Sequence, residues 1–177
     1  MKPILTFQNE LFSVSDLGPE NSVPDLIPGE NIQNKTNFFL DEDDEIYEGY
    51  GKRETAFPYR QYTCYTRTLK EKELPTAILE NRFLKATFLP TYGGRLWSLI
   101  DKTTGDNLLY TNDVIRPSNL AIRNAWFSGG VEWNISMIGH TPFTMEPLFT
   151  SKLEKEDGTP VLRMLSLIHI SEPTRPY

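Results

Sequence analysis

The side chains best suited to chemistry in this chain gather between Arg95 and His140. Trp126, Glu132, Trp133, Asn134 and His140 all fall in one run, Trp126-Phe-Ser-Gly-Gly-Val-Glu-Trp-Asn-Ile-Ser-Met-Ile-Gly-His140, with Arg95 and Arg123 upstream. An imidazole and a carboxylate can move protons near neutral pH. Aromatic faces beside a few polar groups suit flat, hydroxyl-rich molecules such as sugars. A guanidinium can hydrogen-bond hydroxyls or carboxylates through two donors at once. His140 and Glu132 are therefore the catalytic candidates. Trp126, Arg95, Arg123, Asn134 and Trp133 are the substrate-binding candidates.

Each candidate has a plainer alternative. His140 follows Gly139 and precedes Thr141-Pro142, where backbone carbonyls at a turn would satisfy an imidazole equally well. Glu132 stands between Val131 and Trp133, so in a strand it would face away from both, towards a cleft or solvent. Its rival role is a buried ion pair with Arg95, Arg116 or Arg123. Trp126 lies in a loop-like setting before Ser128-Gly-Gly130, as a sugar platform or as packing. Trp97 alternates within an apolar strand and is expected in the core.

Strands must position these groups. Tyr59, Gln61, Thr63, Tyr65 and Arg67 alternate with their neighbours at a period of two. Thr76–Glu80 and Phe83–Leu89 flank Asn81-Arg82, which reads as a two-residue hairpin turn. Arg95–Asp101 is a further strand, and Lys102-Thr-Thr-Gly105 turns the chain into Asn107–Tyr110. The paired glycines Gly93-Gly94 and Gly129-Gly130 permit sharp turns or a close backbone approach. The one helix-compatible stretch, Ser118 to Asn124, is too short to matter. This spacing predicts an all-β fold, a meander within an antiparallel β-sandwich.

Charge divides the chain. Residues 1–55 hold twelve acidic and four basic side chains, whereas residues 56–164 hold eleven acidic and thirteen basic. With Pro19, Pro24 and Pro28 and the block Asp41-Glu-Asp-Asp-Glu45, residues 1–54 read as an acidic, solvent-facing arm. A near-neutral remainder lacks the clustered basic face of a nucleic-acid binder. The single cysteine, Cys64, forms no internal disulfide and is expected to be buried as a small apolar group. There is no signal-like apolar segment and no run near the ~20 apolar residues of a membrane helix. A cytoplasmic protein with no membrane partner is the expectation. No zinc-spaced Cys/His cluster, phosphate loop or nucleophile elbow occurs, so neither metal nor cofactor is expected.

Leu89-Pro-Thr-Tyr-Gly-Gly-Arg95 and Gly129-Gly-Val-Glu-Trp-Asn134 carry a family resemblance. Over roughly residues 55–164 the chain resembles galactose-mutarotase-like β-sandwich (supersandwich) proteins. In particular it resembles a bacterial family of unknown function whose sandwich domain often precedes tetratricopeptide repeats. In aldose mutarotases a histidine acid protonates the sugar's ring oxygen while a glutamate base takes the anomeric proton. The resemblance thus implies a carbohydrate-handling domain that epimerises or hydrolyses at an anomeric centre, with protein partners engaged through later repeats. The usual base lies late in that family's chain, beyond the residues matched here. The alternatives are a non-catalytic carbohydrate-binding module and a structural sandwich serving as a scaffold. Leu165-Ser-Leu-Ile-His-Ile-Ser-Glu-Pro-Thr-Arg-Pro-Tyr177 resembles a translated sequencing adapter. Residues 165–177 are expected to be a non-native tail, His169 is left out of the site, and the sandwich is expected to be truncated.

Overall fold

The structure is a computed structural model and describes residues 2–19, 21–22, 62, 64–120, 124–133 and 145–166, the side chains of 118–120 and 124–126 excepted. These residues are all-β, with one short 3₁₀ turn at Pro90–Tyr92. β1 (Ile4–Ser15), β2 (Leu69–Glu80), β3 (Leu84–Leu89), β4 (Arg95–Asp101) and β5 (Val114–Ile115) form one sheet in the order β4-β3-β2-β1-β5. Two hairpins accompany it, β6 (Ser118–Leu120) with β7 (Asn124–Trp126), and β8 (Phe149–Glu154) with β9 (Pro160–Leu165).

β1 is the main departure from the sequence reading, which assigns residues 1–54 to an arm. Ile4–Ser15 pairs antiparallel with β2 along its whole length, from Ile4 opposite Glu80 to Ser15 opposite Leu69. Its apolar pattern hides the strand because the buried positions change parity. Leu5 is buried near one end, whereas Val14 and Ser15 are both buried at the other. A strand that crosses from one environment to another loses the simple period of two. The block Asp41–Glu45 lies outside the described residues.

In the Tyr59–Arg67 alternation the difference runs the opposite way where the stretch is described. Tyr62 and residues 64–67 are not in a strand; β2 begins only at Leu69. Thr66 N donates to Asp16 O at 2.9 Å, tying this connection to the end of β1 instead of to a ladder. Cys64 is consequently exposed, not buried. The described ends of the helix-compatible stretch, Ser118–Leu120 and Asn124, belong to the β6–β7 hairpin. Asn107–Tyr110 is no strand: Asn107 bridges Ile100, Leu108 N donates to Leu99 O and Tyr110 O accepts from Gly130 N.

The β2–β3 hairpin forms, with its turn one residue later than expected. Asn81 N donates to Leu84 O at 2.9 Å, which leaves Arg82-Phe83 at the tip. The Asn81 side chain explains the shift. Its Oδ1 accepts from Phe83 N at 2.7 Å and Leu84 N at 2.9 Å, a local bond pattern that favours Asn ahead of a turn.

The core sits where β1, β2 and β4 meet the 3₁₀ turn and the loop after β7. Val14, Leu74, Leu89, Tyr92, Trp97, Ile115, Phe127 and Met145 are its buried members. Phe127 is central: its ring lies 6.0 Å from Trp97 and 5.5 Å from Tyr92, centroid to centroid. Phe12 of β1 meets Trp97 edge-on at 6.5 Å, so β1 helps build the same core. Trp97 occupies the interior position its alternation predicts.

Candidate functional site

Arg95 and the loop 127–133 form the most tightly built cluster of the candidate residues. Arg95 opens β4 directly after Gly93-Gly94, and its side chain is buried, 3 % exposed. Nη1 donates to Phe127 O at 2.7 Å and Gly129 O at 2.9 Å. Nη2 reaches Glu132 Oε2 at 3.5 Å, and the guanidinium carbon stands 3.8 Å over the Phe127 ring. Nε has no hydrogen-bond partner among the described residues. The sequence reading makes this arginine a substrate-binding candidate; in the structure it is a buried cation that staples a loop.

Burial sets its electrostatics. Desolvation pulls the Arg95 pKa below the usual arginine value, down to about 10, and the Glu132 carboxylate pushes back in the other direction. Net downward displacement means that burial outweighs the carboxylate. At neutral pH the guanidinium is still charged, so a desolvated cation is held in place by two carbonyls, one carboxylate and an aromatic face.

Two glycine pairs make the approach possible. Gly130 has φ +66°, and a Cβ there would come within 2.4 Å of Leu96 O. The bond from Val131 N to Leu96 O, 2.8 Å, needs that closeness, since it ties the loop to β4. Gly94 has φ +64°, with Met164 Sδ and Leu148 Cδ1 where a Cβ would project. Its carbonyl accepts from the indole Nε1 of Trp133 at 2.8 Å. Trp133 is thus fixed through its nitrogen while 43 % of the residue stays exposed. Glu132, with its side chain 12 % exposed, is its neighbour in the chain and is held by Arg95.

The structure therefore brings Arg95, Glu132 and Trp133 together at the start of β4. Trp126 is the last residue of β7, opposite Ser118, and its side chain is outside the described set. Arg123, Asn134 and His140 lie outside the described residues. Of the three arginines open to Glu132, Arg95 is one that reaches it. Sequence reasoning misses Phe127, whose ring and carbonyl both serve Arg95, and the Gly94 carbonyl that anchors Trp133. The signal for Phe127 is its place between Trp126 and the second glycine pair.

A cleft of about 450 Å³ opens beside this cluster. Phe7 and Asn9 of β1 and Pro75 of β2 line it together with Pro90, Thr91 and Leu148. Neither Arg95, Glu132 nor Trp133 lines it. The turn at residues 90–94 separates the two features, with Pro90 and Thr91 on the cleft and Gly94 beneath the Trp133 indole. The cleft carries no charged side chain among its described lining residues. Among the described residues no helix is long and apolar enough to cross a membrane, and no group of acidic, His or Cys side chains is arranged to hold a metal ion.

The fold is similar to that of a solved protein from Parabacteroides distasonis ATCC 8503, described as a TPR-domain containing protein. The likeness has a TM-score of 0.58 at 21 % identity and covers 88 % of this chain but 23 % of that one. This chain thus spans about a quarter of that protein's length. The match includes much more than the Arg95–Trp133 region, so it concerns the β-scaffold that holds the cluster. Over residues 52–166, which include Arg95, Glu132 and Trp133, the chain matches the model of a domain of unknown function, DUF5107, and it belongs to that family.

Proposed function

We propose that this domain binds carbohydrate in a galactose-mutarotase-like setting, with Trp133 as the aromatic platform and Glu132 as the polar group beside it. The observation that carries this reading is the state of Trp133. Its indole nitrogen is held by Gly94 O at 2.8 Å, yet the residue remains 43 % exposed. A large aromatic side chain whose polar end is already bonded is pre-organised to receive the apolar face of a sugar ring. Arg95 acts here as a positioning residue, setting the loop that presents Glu132 and Trp133, and does not itself contact the ligand. Trp126, Arg123 and Asn134 are proposed to complete the binding surface, and His140 to supply the acid if the domain also acts at the anomeric centre. Binding is the primary role in this reading. Glu132 is engaged with Arg95, a geometry suited to accepting sugar hydroxyl hydrogen bonds.

A scaffold role is the second reading, favoured by the similar protein from Parabacteroides distasonis being described as TPR-domain containing. In it the sandwich carries a repeat region that recruits protein partners. Calorimetric titration of the chain with a panel of neutral monosaccharides and oligosaccharides separates the two. Binding of a panel member that is lost in Trp133→Ala and weakened in His140→Ala, with both variants still melting cooperatively, supports the carbohydrate site. No heat from any panel member, or equal affinity in both variants, removes these residues from it and leaves the scaffold.

A further inference from the structure

We propose that the open edge of β1 is a self-association surface, on which a second copy of this chain pairs its own β1 antiparallel, centred on Gln8. β1 is bonded to β2 along all of Ile4–Ser15. On its other edge, among the described strands, it pairs only with β5, at Ser13 and Val14. Among the described residues, Ile4 to Phe12 therefore present an unfilled row of backbone donors and acceptors. Such an edge is a template for another strand unless something blunts it. The usual devices are absent: the segment contains one charged residue, Glu10, and no proline, and its register against β2 runs without a bulge. Instead it exposes Ile4 at 40 %, Phe7 at 48 % and Leu11 at 63 %.

A second copy is the occupant because the edge is complementary to itself in the one register its ends allow. Pro3 has no N–H and stops a ladder at one end, while β5 occupies the place beside Ser13 at the other. The free stretch runs from Ile4 to Phe12, and its midpoint is Gln8. Antiparallel pairing about that midpoint sets Ile4 against Phe12 of the second copy and Leu5 against its Leu11. Thr6 falls opposite Glu10, a hydroxyl facing a carboxylate, and Gln8 falls opposite Gln8. Two-fold symmetry makes each unlike pair occur twice, so four apolar cross-strand pairs form and no like charges oppose each other. The product is one continuous sheet built from two five-stranded halves.

The test uses the full chain, its mass followed by light scattering over a wide concentration range. A dimer is expected. Leu11→Lys, at an exposed position, should weaken it by about tenfold or more because the charge enters the interface twice, with the thermal melt unchanged. In a Cys64→Ser background, Gln8→Cys should oxidise to a covalent dimer, whereas Ile4→Cys, which faces Phe12, should not. A chain that stays monomeric at every concentration overturns the proposal. So does a dimer that forms no Gln8→Cys cross-link, or one that cross-links equally through Ile4→Cys. The cysteine readouts decide the matter even if Leu11→Lys fails to fold.

Discussion

Arg95 Nη2 lies 3.5 Å from Glu132 Oε2, and the arginine side chain making this contact is buried. The separation is long for a charge-assisted bond, which ordinarily runs about 2.7–2.9 Å. The shorter bonds from Nη1 to Phe127 O and Gly129 O are what fix the guanidinium. Glu132 then contributes chiefly by offsetting the charge that these carbonyls hold in the interior. That division of labour makes the two residues unequal under mutation.

Arg95→Met should destabilise the chain by about 3–5 kcal/mol in urea denaturation, because it strips partners from buried carbonyls and a half-buried carboxylate. Glu132→Gln should cost less, about 1–3 kcal/mol, since the Nη1 bonds survive. Arg95→Lys should not rescue the loss, because one ammonium cannot span two carbonyls and a carboxylate in that fork geometry. Equal costs for Arg95→Met and Glu132→Gln would contradict the assignment of the anchoring role to Nη1. The alkaline limb carries the sign of the Arg95 shift. A base whose folded pKa, about 10, lies below its unfolded value is destabilising in its charged form. That cost is present in full below about pH 10 and is relieved as pH rises from there towards the unfolded value. Relative to the parent, Arg95→Met should therefore fall further behind at the alkaline end of that window.

Trp133→Phe keeps an aromatic face and removes the donor to Gly94 O. It should lower stability by about 0.5–1.5 kcal/mol, the ordinary worth of one such bond. If Trp133 is a platform, sugar affinity should fall in Trp133→Phe by less than in Trp133→Ala, because the stacking face remains. A calorimetric series that ranks the two variants the other way would assign the affinity to the indole nitrogen.

How far this architecture was legible depends on where local pattern and tertiary environment agree. β4 reads directly as Arg95–Asp101 because turn signals bound it on both sides, Gly93-Gly94 before and Lys102-Thr-Thr-Gly105 after. The β2–β3 hairpin reads to within one residue, and the error comes from Asn81, whose side chain bonds take it out of the turn's tip and into its first corner. β1 was illegible because Leu5 and Val14 are buried at positions of opposite parity. In the described part of the Tyr59–Arg67 pattern, Tyr62 and residues 64–67, β-prone residues without a neighbouring ladder remain a connection. In the site, the pairing of Glu132 with Arg95 was one of several open options. Choosing among them required the carbonyls of Phe127 and Gly129, which no side-chain pattern displays.

Asp101 supplies a pH test away from the site. Its carboxyl is held below its ordinary value, first by the backbone N–H of Thr103, then by that residue's side chain, and more weakly by the backbone of Thr104. A carboxyl with a depressed folded pKa stabilises above its unfolded pKa, near 3.8. The contribution disappears as pH falls through the lower folded value. Asp101→Asn should therefore be less stable than the parent at neutral pH, with the gap narrowing below about pH 4. Thermal melts at neutral and acid pH check this. A gap that stays constant with pH would show that the amide replaces the carboxylate fully in capping the turn.

Two of the positive-φ glycines, Gly130 and Gly105, separate backbone strain from close approach. Both occupy conformations that L side chains disfavour, φ +66° and φ +83°. At Gly105 a Cβ would meet nothing within 4 Å, so Gly105→Ala should cost about 1–2 kcal/mol from conformation alone. At Gly130 a Cβ would lie 2.4 Å from Leu96 O and 3.1 Å from Trp97 Cα, both backbone atoms that cannot swing aside. Gly130→Ala must therefore push the loop off β4, stretching the bond from Val131 N to Leu96 O and withdrawing the Gly129 carbonyl from Arg95. The expected cost is about 3 kcal/mol or more, since lost buried hydrogen bonds add to the strain. The displacement should also reach the binding surface, moving Glu132 and Trp133 together. Comparable stability losses for the two alanine variants, or a Gly130→Ala chain whose Trp133 emission is unchanged, would mean the loop does not depend on this contact with β4.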